Sequence, residues 1–246
     1  MKERKIITAF EKLLEGLYLE KKELNEGEFF LYRGHNGNGD LIPKILRENP
    51  KNGLEIDEKV FYSFKNRAYP YIDKNINLDN EWNMLSLAQH HGLKTRLLDW
   101  TDNLLVAMFF AFYGNPFNTK GPEIWKLKVD NEIVFIPNEN NSPFKRSDTK
   151  KIVFKPNSIN ERIVLQSAWF TVHNETTPLN LNLFYKSRLE RIYFAKTDFS
   201  RKKAIEFLEM LNIQHHTLFP GLSSICNNSN NQYFEPEKFG FNYQPR

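Results

Sequence analysis

Between Met84 and Ala111 the chain reads MLSLAQHHGLKTRLLDWTDNLLVAMFFA, and no other stretch limits the fold as much. Adjacent histidines, His90 and His91, precede Gly92 and a Thr95-Arg96 pair. Asp99 and Trp100 follow, and then a strongly apolar segment from Leu104 to Tyr113. Arg96 and Asp99 stand among Leu93, Leu97, Leu98 and Trp100. Charges flanked in this way are either paired in the interior or line a cleft. Asn80 is placed to cap a helix over Glu81–His90 that Gly92 ends at its C′ position. The two histidines then sit at a helix C-terminus, where the dipole modestly favours the imidazolium form. Neighbouring helical residues point about 100° apart, so the pair alone is no metal site. Thr101 or Asp102 caps the next helix, Asn103–Tyr113, which is apolar nearly all round and therefore central. Asp99 lies just before that helix. Two roles are open to it: an ion pair with Arg96 that orders the turn, or a part in catalysis.

The bulk properties set wide bounds. A chain of 246 residues with 40% hydrophobic and 26% charged residues has the makeup of a globular protein, not a disordered one. Phe, at 21, outnumbers Gly, at 11, which predicts an aromatic core. The net charge of +4 suits an anionic partner but is also common by chance. A single cysteine, Cys226, cannot form an internal disulfide, which fits a reducing compartment. The N-terminus lacks a signal-peptide pattern, and the Leu104–Tyr113 run is half of the roughly 20 residues needed to cross a bilayer. A cytoplasmic protein without membrane contact is expected.

Along the chain, Ile6, Ile7, Phe10, Leu13, Leu14 and Leu17 have helical spacing. A strand over Glu28–Gly34 is expected to end at Gly34, before a turn from His35 to Asp40. Arg33 closes that strand. It is either a surface arginine or a planar fork aimed at a carboxylate or phosphate. Asp57 reads as the N-cap of a helix reaching Ala68. Short strands are expected at Glu123–Val129, Glu132–Ile136, Lys151–Lys155, Ala168–His173 and Arg191–Lys196, with a loop over Pro137–Thr149. Asn160–Ser167 is a capped helix or a strand. Ser200 caps a helix over Arg201–Leu211. The residues after Gly221 have no period and are expected to be loosely ordered. The fold class is α+β: a helical N-terminal part, then a split, curved, mostly antiparallel sheet with helices against it. No HExxH, CxxC or carboxylate cluster with ligand spacing occurs, so no metal is expected.

Three stretches together carry a resemblance: LYRGH (Leu31–His35), LAQHHGLKTRLLDWTDNLLVAMFFA (Leu87–Ala111) and LFPGLSSI (Leu218–Ile225). They resemble the FRG-domain family, whose Phe/Tyr-Arg-Gly motif is Tyr32-Arg33-Gly34 here. Asn160, Arg162, Gln166, Phe170 and Thr171 look like its third block. The resemblance covers roughly residues 28–226. It implies a single domain over 1–246, with an N-terminal helix in 1–26 and a tail in 227–246. Tyr-Arg-Gly at a first core strand is also similar to the opening motif of the arginine-type ADP-ribosyltransferases. That likeness implies an ADP-ribosyltransferase-like sheet, with NAD as substrate and no metal. Tyr32, Arg33 and Gly34 would then hold the pyrophosphate, with His90, Thr95 and Arg96 in the same pocket. Tyr32 and Trp100 could stack on a ring. His91, Asp99, Glu161 and Gln166 would do the chemistry.

The chain lacks a Ser-Thr-Ser motif and a Gln/Glu-x-Glu motif, since Ser167 and Ala168 follow Gln166. The catalytic carboxylate is thus open between Asp99 and Glu161. The acceptor of ADP-ribose would be nucleic acid, including RNA, or protein. The family reading implies a bacterial toxin or phage-defence effector with an antitoxin partner. The alternatives are a non-catalytic nucleotide- or RNA-binding module, and a metal-independent nuclease using the histidines and Asp99. In all of these Arg96 and Asp99 order the turn, and His90, His91 and Thr95 face the ligand.

Overall fold

A computed structural model describes residues 13–35, 39–72, 77, 79–113, 121–146, 148, 150–194 and 198–234. The start of the N-terminal helix, the turn at 36–38, strand residues 195–196 and the tail beyond 234 lie outside the described residues, as does the side chain of Ser200. The fold is α+β. The chain divides into two compact units. The first comprises Met1–Asn38, Thr101–Lys128 and Leu189–Arg246, and the second Gly39–Trp100 and Val129–Arg188.

The first unit holds a helix over residues 13–22 (α1) and the strands β1 (Phe29–His35), β3 (Glu123–Val129, its last residue in the other unit) and β6 (Leu189–Tyr193). β3 and β6 are antiparallel, with Glu123 opposite Tyr193 and Leu127 opposite Leu189. Tyr32 of β1 faces Thr101, the final residue of β2 (Leu97–Thr101). Helix α5 (Leu104–Phe112) packs on β1, and Val106, Ala107, Met108 and Ala111 are fully buried. Each such larger apolar side chain contributes roughly 1.5–3 kcal/mol when removed from water. Gly34 permits this contact. It does not end the strand, which runs on to His35. A Cβ at Gly34 would sit 1.9 Å from the Ala107 carbonyl oxygen. Neither Thr101 nor Asp102 caps α5. Asn103 does, its side-chain oxygen accepting from the Leu105 amide at 2.9 Å, while Thr101 Oγ1 accepts from the Asn103 amide. Helix α8 (Asp198–Met210) adds Ala204 and Leu208 to the core. Helices α9 (His215–Leu218) and α10 (Leu222–Phe234) follow. The stretch expected to be loosely ordered is thus helical as far as Phe234.

The second unit contains α2 (Lys44–Glu48), α3 (Gly53–Ala68), a 3₁₀ turn (Tyr69–Tyr71), α4 (Glu81–His90), α6 (Glu161–Leu165) and α7 (Leu183–Lys186). Its strands run in the order β4 (Val153–Phe154), β5 (Ala168–Val172), β2, with β4 and β5 antiparallel. Phe61, Trp82, Leu85, Leu97, Phe154 and Phe170 form the centre of its core, so the aromatic excess in the sequence goes into packing. Glu132–Ile136 is not a strand. Asp130 draws in the amide of Glu132 at 3.0 Å and closes a turn, and Pro137 follows, leaving only an isolated parallel bridge from Val134 to Val153. Asp57 is not a cap. α3 begins four residues earlier at Gly53, and Asp57 is fully buried within it. Among the described residues no helix is long and apolar enough to cross a membrane.

Candidate active site

Helix α4 sets the geometry of the second unit's polar residues. Asn80 caps it, accepting from the amides of Trp82 and Asn83. Trp82 to Ala88 are all buried. At the other end Gly92 takes φ +94°, the left-handed region that favours glycine. The Gly92 amide donates to Gln89 O and the Leu93 amide to Ala88 O, both at 2.9 Å, closing a Schellman cap. The chain therefore reverses sharply and enters β2 beside the last turn of α4.

Arg96 does not pair with Asp99. Its Nε donates to Asp57 Oδ2 at 2.6 Å, and its Nη atoms donate to Asn174 Oδ1, Leu54 O and Pro143 O. The guanidinium also lies 4.8 Å over the Phe144 ring. Arg96 is 4% exposed and Asp57 0%. This ion pair tethers α3 to the chain entering β2, so the cofactor-binding role expected of Arg96 gives way to an architectural one. Thr95, 2% exposed, is also turned inward. Its hydroxyl donates to Gln89 Oε1 and accepts from the Leu97 amide.

That bond fixes which end of the Gln89 amide is which. Its Nε2 must then be the group that donates to Asp99 Oδ1, at 2.6 Å. Asp99 is the single exposed residue of β2, in a strand otherwise buried on both sides of it. It stands within the strand, not ahead of α5. Its carboxylate also acts electrostatically on Arg162 of α6, whose Nη1 reaches the His90 carbonyl at 3.4 Å. The rings of His90 and His91 meet edge to face, 4.8 Å between centroids. Burial, with the positive charge of Arg162 and the neighbouring His91, pushes His90 down to about 4. It is thus neutral near pH 7, against the imidazolium form expected from the helix dipole. His91 is exposed and lines a cavity of about 650 Å³ together with Asn160, the N-cap of α6. Glu161 is exposed on α6, and Gln166 is that helix's C-cap, its amide donating to Arg162 O.

Gln89 and Arg162 complete this cluster, and sequence reasoning gave neither a site role. The available signal was Gln89 directly before the His-His pair. Among the described residues no three His, Cys, Asp or Glu side chains could together hold a metal ion.

The first unit holds Tyr32, Arg33 and Gly34. Tyr32 is buried in the α5 core, and burial, reinforced by Glu20 and Glu190, raises its phenol to about 12. Trp100, in β2, is likewise buried, its Nε1 donating to Thr171 Oγ1. Both rings expected to stack on a ligand are therefore core residues. Arg33 Nε donates to His35 Nε2 at 3.1 Å, and His35 Nδ1 lies 3.3 Å from Glu123 Oε1. Glu123, 1% exposed, also receives Arg191 Nε at 2.7 Å. Burial alone would raise the Glu123 carboxyl, but the bonds from His35 and Arg191 outweigh it and hold it below its ordinary value.

The arrangement is that of an α+β protein with a pre-oriented carboxylate beside a neutral imidazole. Residues 28–119 match the family model of the FRG domain, and over that stretch the chain belongs to the FRG-domain family. The match takes in the Tyr-Arg-Gly motif and the whole Gln89–Asp99 cluster, and stops before Asn160 and Arg162. Searches of the curated proteins and of the solved structures find no match.

Proposed function

We propose that this FRG domain is an ADP-ribosyltransferase-like enzyme that takes NAD as substrate and passes ADP-ribose to a macromolecular acceptor. The observation that carries the reading is Asp99: an exposed carboxylate held by Gln89, which Thr95 holds in turn, with Arg162 in electrostatic reach. Cleavage of the bond from nicotinamide to ribose C1′ sends the electron pair to nicotinamide, which leaves neutral. The ribose is left as an oxocarbenium-like cation. A fixed carboxylate stabilises such a charge without having to reorganise. The acceptor's nucleophile then bonds to C1′, and its proton passes to His91. Glu161 and Gln166 on α6 would order the ribose hydroxyls. The reading rests on the second unit alone.

The net charge of +4 favours nucleic acid over protein as acceptor. A toxin or phage-defence role with an antitoxin partner belongs to the same reading. The missing Gln/Glu-x-Glu motif favours, as the second reading, a module that binds nucleotide without turnover. Incubation with NAD labelled in its ADP-ribose half, plus RNA, DNA or lysate protein, separates these. Transfer predicts a labelled acceptor and free nicotinamide, both lost in Asp99→Asn. A folded protein that binds NAD and releases no nicotinamide leaves only the binding module. One that does not bind NAD ends both readings.

A further inference from the structure

The cavity beside His91 belongs wholly to the second unit. Phe64, Leu87 and Leu93 give it apolar walls, and Arg67 is an exposed cation on its lining. No carboxylate lines it. At about 650 Å³ it lies in the range of sites that enclose a small organic ligand.

Asn160 gives this cavity a direction. Its Oδ1 accepts from the Ile163 amide at 2.9 Å and thereby caps α6. The amide cannot flip without losing that bond, so the other end of the side chain is Nδ2, a donor. Nδ2 is buried and has no hydrogen-bond partner among the described residues. A buried donor left without an acceptor costs about 1–3 kcal/mol. A ligand that brings an acceptor to this point removes that cost.

We propose that the cavity binds a mononucleotide whose aromatic ring carries a carbonyl acceptor. The ring lies between Phe64 and the leucines, its carbonyl accepts from Asn160 Nδ2, and its phosphate faces Arg67. This deepens the reading above and rests on it for the identity of the ring: the cavity takes the nicotinamide mononucleotide half of NAD.

The test is calorimetric titration of the full chain with nicotinamide mononucleotide and, separately, with nicotinamide riboside, which lacks the phosphate. Asn160→Asp and Asn160→Ser both keep a capping oxygen and remove the donor. Each should weaken both ligands roughly tenfold, the loss of about one hydrogen bond, while the thermal melt stays unchanged. Arg67→Ala should weaken the mononucleotide roughly tenfold and leave the riboside unaltered. Ser63→Trp, at an exposed position of the lining, should block both. A wild-type chain that fails to bind the mononucleotide at millimolar concentration overturns the proposal, and so does binding indifferent to Asn160, Arg67 and Ser63. Binding with these dependences but no cleavage of NAD keeps the cavity site and rejects the transferase. Asp99-dependent cleavage with Asn160 and Arg67 immaterial does the reverse.

Discussion

The two units treat buried charge differently. In the first, charges in the interior close on one another. Glu123 is shared by His35, Arg191 and the Trp125 indole, and Lys126, 5% exposed, is paired with Glu20 and Glu190. The second unit has one such closed pair, Arg96 with Asp57. Beside it stand groups placed with care yet left facing outward: Asp99 on an otherwise buried strand, His91 on a cavity wall, and Asn160 with a donor to fill. A charge whose complement lies in the same core holds the fold together. A polar group whose position is fixed by one partner while its other side stays open is what ligand chemistry needs. By that criterion the second unit is the functional one, and the first is chiefly a frame.

The largest effect should come from opening the closed pair. Arg96→Ala leaves Asp57 as a buried charge without its cation and should cost about 3–5 kcal/mol in urea unfolding. Arg96→Lys should recover little, because an ammonium cannot reproduce the fork that meets Asp57, Asn174 and Leu54. The opposite behaviour is expected of Asp99→Asn. Turnover of NAD should fall by about 10²–10³, while stability moves within about 0.5 kcal/mol. Equal losses of stability at both positions would erase the contrast between closed and open groups.

Next in size is Gly34→Ala, where a new methyl meets the α5 backbone. It should destabilise by about 1–3 kcal/mol, read as a lower melting temperature. The smallest effect is the sharpest in pH. His90 has a folded value of about 4 against an ordinary 6.5, so it takes up a proton on unfolding between those limits. Stability is therefore full above pH 6.5 and declines as pH falls towards 4. Glu123 lies below its ordinary 4.5, so its contribution is full above pH 4.5 and is lost only as pH falls through its folded value. Between pH 7 and 5, amide exchange should accelerate in the second unit and hold steady in the first, and His90→Gln should flatten the change. Acceleration confined to the first unit would reverse the assignment.

Much of this was legible in the sequence, and the limits have physical causes. α4 with its Asn80 cap and Gly92 stop, the apolar α5, and strands β1, β3 and β5 all announce themselves by local spacing and punctuation. So does the capped turn of α6 at Asn160. What misled was partner choice. Arg96 and Asp99, three residues apart, look like a pair, but alternation along β2 turns Asp99 to the surface while Arg96 reaches Asp57, 39 positions away. Local pattern says that a charge is buried and is silent about which distant charge answers it. The same holds for Gly34, which looks like a strand breaker until Ala107 is placed against it. Gln89 escaped notice because a glutamine on a helix gives no sign by itself; its role arises only when the Schellman cap brings Thr95 and β2 back alongside.

The path of the chain through the two units has a consequence for biosynthesis. The second unit is complete once residue 188 has left the ribosome, whereas the first waits for Leu189 onward. Until then β3 lacks its β6 neighbour, and the apolar face of α5 lacks Leu208. An unpaired strand edge beside an uncovered phenylalanine-rich helix is prone to aggregate. The nascent protein thus passes through a stage in which its ligand-handling half is finished and its frame is not. Chains truncated before residue 189 should retain the former and depend on chaperones for the latter.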